Sequence, residues 1–350
     1  MDYKPFTPKA ALELAAPHTW VASIGPVLIA GALAVCSAVV YAFSFDNTAS
    51  WFGEQVIPDS PSLLQAFTLP DALTSLAVTL DWRSIVCWVL MLLVAVLMQS
   101  ATNTLNDYQD FKSGLDTAET VVDKTDASLV YNQINPRDAV RFAISLLAAA
   151  AVLGMLVVLL SSWWLLPVGL VSAGVVILYS AGPKPISSLP LGEVISGVVM
   201  GGIITCATFF AMTGAISSFV IIVALIPTVA IAQIMLTNNT CDIERDRRSG
   251  RITLPSLLGA NLSRILNAIF CLLTFVALLI VVYLPGLYAG IVAVIGGFAI
   301  CFTRIDTLLK GPYDLKNRST MMNTVVSYAA WLFIATVIGL VLGGVVSVIL

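Results

Sequence analysis

The chain has 350 residues, of which 59% are hydrophobic and only 11% charged, with a formal net charge of −3; its mean hydropathy is +0.96. A soluble domain of this size carries about twice that share of charge, and a near-neutral balance excludes a general nucleic-acid binder. The class left is an all-α polytopic protein of a lipid bilayer.

In chain order, Met1 to Thr19 is polar and too long for the head of a cleavable signal peptide, so none is expected. Runs of about 20 apolar residues then predict nine membrane-spanning helices. They cover 20–43, 84–105, 139–160, 163–180, 191–212, 218–239, 264–283, 287–302 and 323–349. Lys and Arg set the orientation. With the N-terminus inside, the segments 1–19, 106–138, 181–190, 240–263 and 303–322, with their helix ends, hold all of the 17 Lys and Arg residues but Arg83. The N-terminus is therefore expected in the cytoplasm of a multi-pass cell-membrane protein. Residues 44–83 form a long outer loop, and 106–138 and 240–263 form cytoplasmic loops where chemistry is expected. Six scattered cysteines make no CxxC pair and read as small buried hydrophobes. Gly197 and Gly201 have the spacing that brings helices close, within the bundle or between subunits; the oligomeric state is not legible.

Two polar clusters close long apolar runs: Asn103-Thr104-Leu105-Asn106-Asp107-Tyr108-Gln109-Asp110, and Asn238-Asn239-Thr240-Cys241-Asp242-Ile243-Glu244-Arg245-Asp246. A carboxylate at a membrane boundary is costly unless paired, wet or functional. On a helix, Asn103, Asn106 and Asp110 share one face, with Asp107 one step around; Asn239, Asp242 and Asp246 share another. Oxygen ligands in this arrangement suit hard cations such as Mg²⁺. Two such helix ends can hold two metal ions against a diphosphate. Arg245, Arg247, Arg248, Arg251, Lys112, Lys124 and Lys184 supply bases to grip the phosphate. Solvated helix caps and a cation-coupled transporter are the alternatives, though no pair of broken helices supports transport.

The ordered motifs resemble the UbiA superfamily of intramembrane aromatic prenyltransferases, and are most similar to its MenA branch, the 1,4-dihydroxy-2-naphthoate polyprenyltransferases. The resemblance runs over nearly the whole chain as a single domain, 1–350. It begins at Pro17-His18-Thr19 and continues through Asn106-Asp107-Tyr108-Gln109-Asp110 with Gly114-Leu115-Asp116. It takes in Tyr179-Ser180-Ala181-Gly182-Pro183-Lys184-Pro185 and Leu191-Gly192-Glu193. It is densest over Asn238 to Arg251.

The resemblance implies nine helices around a central cavity open to the cytoplasm and to lipid. It implies two Mg²⁺ ions holding the diphosphate of a polyprenyl donor. Asn106, Asp107, Asp110 and Asp116 would serve one metal, and Asp242 and Asp246, with Asn239, the other. Lys124, Lys184, Arg247 and Arg251 would contact the diphosphate. Breaking the C–O bond leaves an allylic cation, which an electron-rich ring attacks; Asp110, Asp116, Asp242 and Asp246 serve this step, and Tyr179 can face the cation through its ring. The expected acceptor is 1,4-dihydroxy-2-naphthoate, for menaquinone biosynthesis. A hydroxybenzoate, a homogentisate-like ring or a non-quinone alcohol are the other acceptors. Two positions depart from the family pattern. Ala16 stands where relatives carry Arg, with His18 the nearest base, and 122–128 keeps only Lys124 as a cation while carrying Asp123 and Asp126.

Overall fold

A computed structural model of the chain describes residues 3–48, 78–114, 127–180, 182, 185–283 and 287–349. Among them the backbone is almost wholly helical, with a single parallel β-bridge between Lys4 and Ile134. The helices are α1 (Pro8–Ala15), α2 (Val21–Thr48), α3 (Trp82–Ser113), α4 (Ser128–Tyr131), α5 (Pro136–Leu160) and α6 (Leu165–Ser180). They continue as α7 (Gly192–Thr213), α8 (Ser218–Cys241), α9 (Ile243–Ser249), α10 (Leu254–Tyr283), α11 (Ile291–Lys310) and α12 (Arg318–Ile349).

Eight of the described helices are long and apolar enough to cross a membrane: α2, α3, α5, α7, α8, α10, α11 and α12. The ninth expected span, α6, has 16 residues. At about 1.5 Å per residue it is roughly 24 Å long, short of the ~30 Å hydrocarbon core. The segments read as loops differ from expectation. Asn106 to Ser113 continue α3, and 240–263 contains the end of α8, all of α9 and the start of α10. Their polar side chains are compatible with helix, so the helices extend past the apolar runs that mark the spans. Of the connection expected over 44–83, residues 49–77 lie outside the described residues.

Local signals set the helix ends. Asp81 caps α3 by accepting from the Ser84 N–H at 3.0 Å. Gly114 closes α3 with φ 74°, the left-handed conformation that glycine adopts without steric cost. The short α1 begins at Thr7, whose Oγ1 accepts from the Ala10 N–H at 3.2 Å. It ends at Ala16, itself left-handed at φ 48°.

Helices α2, α8 and α12 carry much of the core, including Ile29, Leu33, Val223, Ile226, Ala329 and Leu340. In α2, Gly25 lies directly under the Phe333 ring of α12. The outer faces of α5 and α11 present Ile144, Val152, Leu159, Val292, Ile295 and Phe302. Apolar surface of this extent is what lipid covers. Five of the six cysteines are buried, and Cys206 is half-buried.

The two spaced glycines sit inside the bundle. Gly197 to Ile203 form a π-helical stretch within α7, a local widening of the helix. There α7 presses onto α8 beside Pro227. A Cβ on Gly197 would lie 2.5 Å from the Thr228 carbonyl oxygen, and one on Gly201 would lie 2.5 Å from the Pro227 carbonyl carbon. Backbone cannot move aside as a side chain can. Gly201→Ala is therefore expected to destabilise the protein by ~1–3 kcal/mol, read as a lower unfolding temperature in detergent. Gly296→Ala, where a Cβ meets nothing within 4 Å, is expected to leave that temperature unchanged or raise it.

Candidate active site

The first cluster rides the last turns of α3, and its side chains go four ways. Asn103 faces the N-terminal segment, donating to the Ala15 carbonyl at 3.0 Å and to Thr19 Oγ1 at 2.9 Å. Trp20 Nε1 donates to the same carbonyl at 3.2 Å and to Ser100 Oγ at 3.1 Å. The hook around Ala16 is thereby pinned along α3. Asn106 Oδ1 accepts from Ser180 Oγ at the end of α6. Asp107 Oδ2 accepts from the Leu129 N–H at 3.2 Å, a bond that ties the segment holding α4 to α3. Asp110 points elsewhere, with Oδ1 3.6 Å from Arg251 Nη1.

The second cluster spans the joint between α8 and α9. Asn239, Asp242 and Asp246 are all buried. Asp246 Oδ2 accepts from Thr253 Oγ1 at 2.8 Å, and its Oδ1 lies 3.6 Å from Arg251 Nε. Gly250, at φ 75°, ends α9, and the Arg251 N–H then returns to the Asp246 carbonyl at 2.9 Å. This left-handed turn is a common helix ending; here it folds Arg251 back over the aspartate. The Arg251 Nη2 group also donates to the Ser187 carbonyl at 3.2 Å.

Arg251 thus stands between Asp110 and Asp246, one from each cluster. Burial outweighs its charge at Asp246, and pushes that carboxyl up to about 6, while Arg251 and Thr253 pull in the opposite direction.

A second arginine completes the site. Arg318, the first residue of α12, donates from Nε to Asp242 Oδ2 at 3.1 Å and from Nη2 to Asn238 Oδ1 at 2.7 Å. Sequence reasoning gave it no role; it counted only as an inner-side charge. Buried Glu193 was missed too, although an acid inside an apolar run is a signal in itself. It accepts from Asn239 Nδ2 at 2.8 Å. Arg247 Nε and Nη2 both donate to the Ser256 carbonyl, at 3.2 and 2.8 Å, so this guanidinium ties α9 to α10. Arg248 pairs with Glu244 on the exposed face at 3.7 Å. Tyr179 is buried at the end of α6, its hydroxyl 3.6 Å from where a Cβ on Gly192 would stand. Asp116, Lys124 and Lys184 lie outside the described residues.

Among the described residues no three His, Cys, Asp or Glu side chains converge to hold a metal ion. The two clusters meet where Asp110 and Asp246 share Arg251, and the ligands they offer, Asn106, Asp110, Asn239, Asp242 and Asp246, are amide and carboxylate oxygens alone. Such a set fits a hard divalent cation rather than zinc or copper. Three of its carboxylates already lie against guanidinium groups, so the place is built to balance negative charge with cations.

The class these features define is an intramembrane helical bundle with an interleaved acidic and basic site formed from α3, α8, α9 and the start of α12. The chain belongs to the UbiA prenyltransferase family, which it matches over residues 67–325. It is 36% identical over 200 residues to 1,4-dihydroxy-2-naphthoate octaprenyltransferase of Bacillus subtilis (strain 168), a match covering 57% of this chain and 64% of that one. It is 29% identical over 237 residues to the protein of the same name from Mycobacterium tuberculosis (strain ATCC 25618 / H37Rv), covering 65% and 79%. The matched stretch thus spans just under two thirds of the Bacillus relative's length. In fold, the chain is similar to a UbiA homolog from Archaeoglobus fulgidus bound to DMAPP and Mg²⁺, with a TM-score of 0.56 at 16% identity, covering 95% of this chain and 98% of that one. It is similar also to the apo structure of a UbiA homolog from Aeropyrum pernix K1, with a TM-score of 0.57 at 15% identity, covering 81% and 98%.

The raised Asp246 carboxyl has a consequence for stability. The folded protein holds that proton more tightly than the unfolded chain does. Its contribution to stability therefore falls as pH rises from about 4 to about 6, and is flat above. Asp246→Asn removes this cost of ionisation. In the presence of a chelator, its unfolding temperature at pH 7.5 is expected to equal or exceed that of the parent, and to change less between pH 4 and 6. Thermal melts across that range check it.

Proposed function

We propose that this protein transfers a polyprenyl group from a polyprenyl diphosphate to an aromatic acceptor inside the membrane. The observation that carries the reading is the Arg251 guanidinium between Asp110 and Asp246. Acids that hold a metal and bases that hold a phosphate meet there at one place. The proposed protein is one domain, 1–350, with α6 completing nine helices around a central cavity. Its N-terminus and active site face the cytoplasm at the cell membrane. The Archaeoglobus neighbour's DMAPP and Mg²⁺ supply the ligand class by analogy.

Asn106, Asp110 and Asp116 would hold one Mg²⁺, and Asp242 and Asp246, with Asn239, a second. Bound there, the metal supplies positive charge that makes diphosphate a better leaving group. The chain's own residues do the rest. Arg251, with Lys184 and Lys124, takes the charge that grows on the diphosphate as the C–O bond breaks. Burial keeps water from the allylic cation, and the Tyr179 ring stabilises that cation from its face. An electron-rich ring carbon then forms the new C–C bond, and the ring regains its aromaticity as that carbon sheds its substituent, a proton or a carboxyl group leaving as CO₂. The acceptor proposed is 1,4-dihydroxy-2-naphthoate, after the names of the Bacillus and Mycobacterium relatives.

Asp110→Asn and Asp242→Asn are each expected to lower release of diphosphate from an allylic diphosphate by at least about 100-fold. Both variants should remain folded in detergent, and a chelator should silence the parent protein. Retained turnover in both variants would rule out the two-metal assignment. Mass spectrometry of products formed from a mixture of aromatic acids identifies the acceptor: a prenylated naphthalene ring is expected, and a prenylated hydroxybenzoate would replace that assignment.

A further inference from the structure

A chain of hydrogen bonds runs beside the second cluster, from α12 through α8 to α7. Arg318 Nη2 donates to Asn238 Oδ1 at 2.7 Å. Asn238 Nδ2 donates to Asn239 Oδ1 at 3.3 Å, and Asn239 Nδ2 donates to Glu193 Oε1 at 2.8 Å. The two ends differ in kind. A guanidinium can only donate, and an ionised carboxylate can only accept. The amides between them can do either at each end, depending on which way they are turned. With Arg318 at one end and Glu193 at the other, a single orientation of both amides satisfies every bond. Each amide oxygen faces the Arg318 side, and each NH₂ faces the Glu193 side.

Glu193 is built to stay in place. It is 1% exposed and Asn239 is 4% exposed. Its carboxylate also lies near the backbone N–H of Leu254, the first residue of α10. A charge buried in an apolar helix is costly, and an uncharged glutamine would fill the same volume at lower cost. What glutamine cannot do is dictate direction, because its amide donates as well as accepts.

We propose that Glu193 is a positioning residue of the metal–diphosphate site, acting through Asn239. It holds the Asn239 NH₂ group on its own side and leaves the oxygen, the end that can ligate a cation, toward Asn238 and Arg318, whose guanidinium also holds Asp242. An amide turned the other way would present N–H groups to the metal. This inference rests on the reading above, in which Asn239 stands with Asp242 and Asp246 at a Mg²⁺–diphosphate site. Outer partners of this kind tune metal affinity by about 10–100-fold.

The test is a Mg²⁺ titration of the full-length protein in detergent at fixed inorganic pyrophosphate, read as the rise in unfolding temperature. Glu193→Gln is expected to move the half-maximal Mg²⁺ concentration up by about 10–100-fold. Turnover should fall more at limiting than at saturating Mg²⁺. In an Asn239→Ala background, Glu193→Gln should move the midpoint no further. An unmoved midpoint in Glu193→Gln, or an equal move in the Asn239→Ala background, overturns the proposal. Should Glu193→Gln fail to fold, the same titration is read on Glu193→Asp, whose carboxylate is one methylene short of Asn239; there too an unmoved midpoint overturns it. A parent protein indifferent to Mg²⁺ and pyrophosphate overturns the underlying reading and this proposal with it. A parent that responds while Glu193→Gln matches it overturns this proposal alone.

Discussion

One guanidinium serves two aspartates that arrive on different helices. Arg251 lies 3.6 Å from Asp110 at the end of α3 and 3.6 Å from Asp246 in α9. Asp246 is almost wholly enclosed, so its charge depends on that neighbour and on the Thr253 hydroxyl. Removing Arg251 would strand Asp246 as a buried charge, which costs far more than the pair contributes while intact, whereas Arg251 without Asp246 keeps Asp110. The two clusters are therefore bound to one another by charge, and the helices carrying them are held in register. The turn at Gly250 is the local device that makes this possible, because it folds Arg251 back over the helix it has just left.

The rest of the bundle supports that meeting point. Asn103 and Thr104, together with Trp20 through Ser100, fasten the N-terminal hook along α3, which steadies the helix just before Asp110. Arg247 ties α9 to α10 through the Ser256 carbonyl. Arg318 brings α12 to Asp242. The apolar spans hold these ends together from below, with glycines where α7 must approach α8 and α2 must pass beneath Phe333. A polar site is expensive at the edge of a hydrocarbon layer, and Asp110, Asp242 and Asn239 in it are each matched by a group from a distant part of the chain, Arg251, Arg318 and Glu193.

Much of this was legible in the sequence. Apolar runs longer than a soluble helix needs mark the spans, and the two clusters interrupt them at an energetic cost that calls for a reason. Helical spacing predicts one face for Asn106 and Asp110, yet their side chains take different partners, Ser180 and Arg251. Other features were hidden. Arg318 is 76 residues from Asp242 in the chain, and the positive-inside rule already accounted for its charge. Glu193 lay in a familiar motif with no role attached. The bond from the Leu129 N–H to Asp107 is likewise announced by no spacing in the sequence. Helix ends were placed too early at Leu105, and too late at 264 and 323, because polar residues that continue a helix carry no apolar period.

The central claim is that the two clusters form one site. The direct measurement is a cycle of Asp110→Asn, Asp246→Asn and the double variant, each titrated with Mg²⁺ at fixed pyrophosphate and read as thermal stabilisation of the full-length protein. If both aspartates serve one metal–diphosphate complex, each single variant loses most of the stabilisation and the double variant loses little more. Losses that simply add, each variant forfeiting its own independent share, would mean two separate sites and would contradict the account.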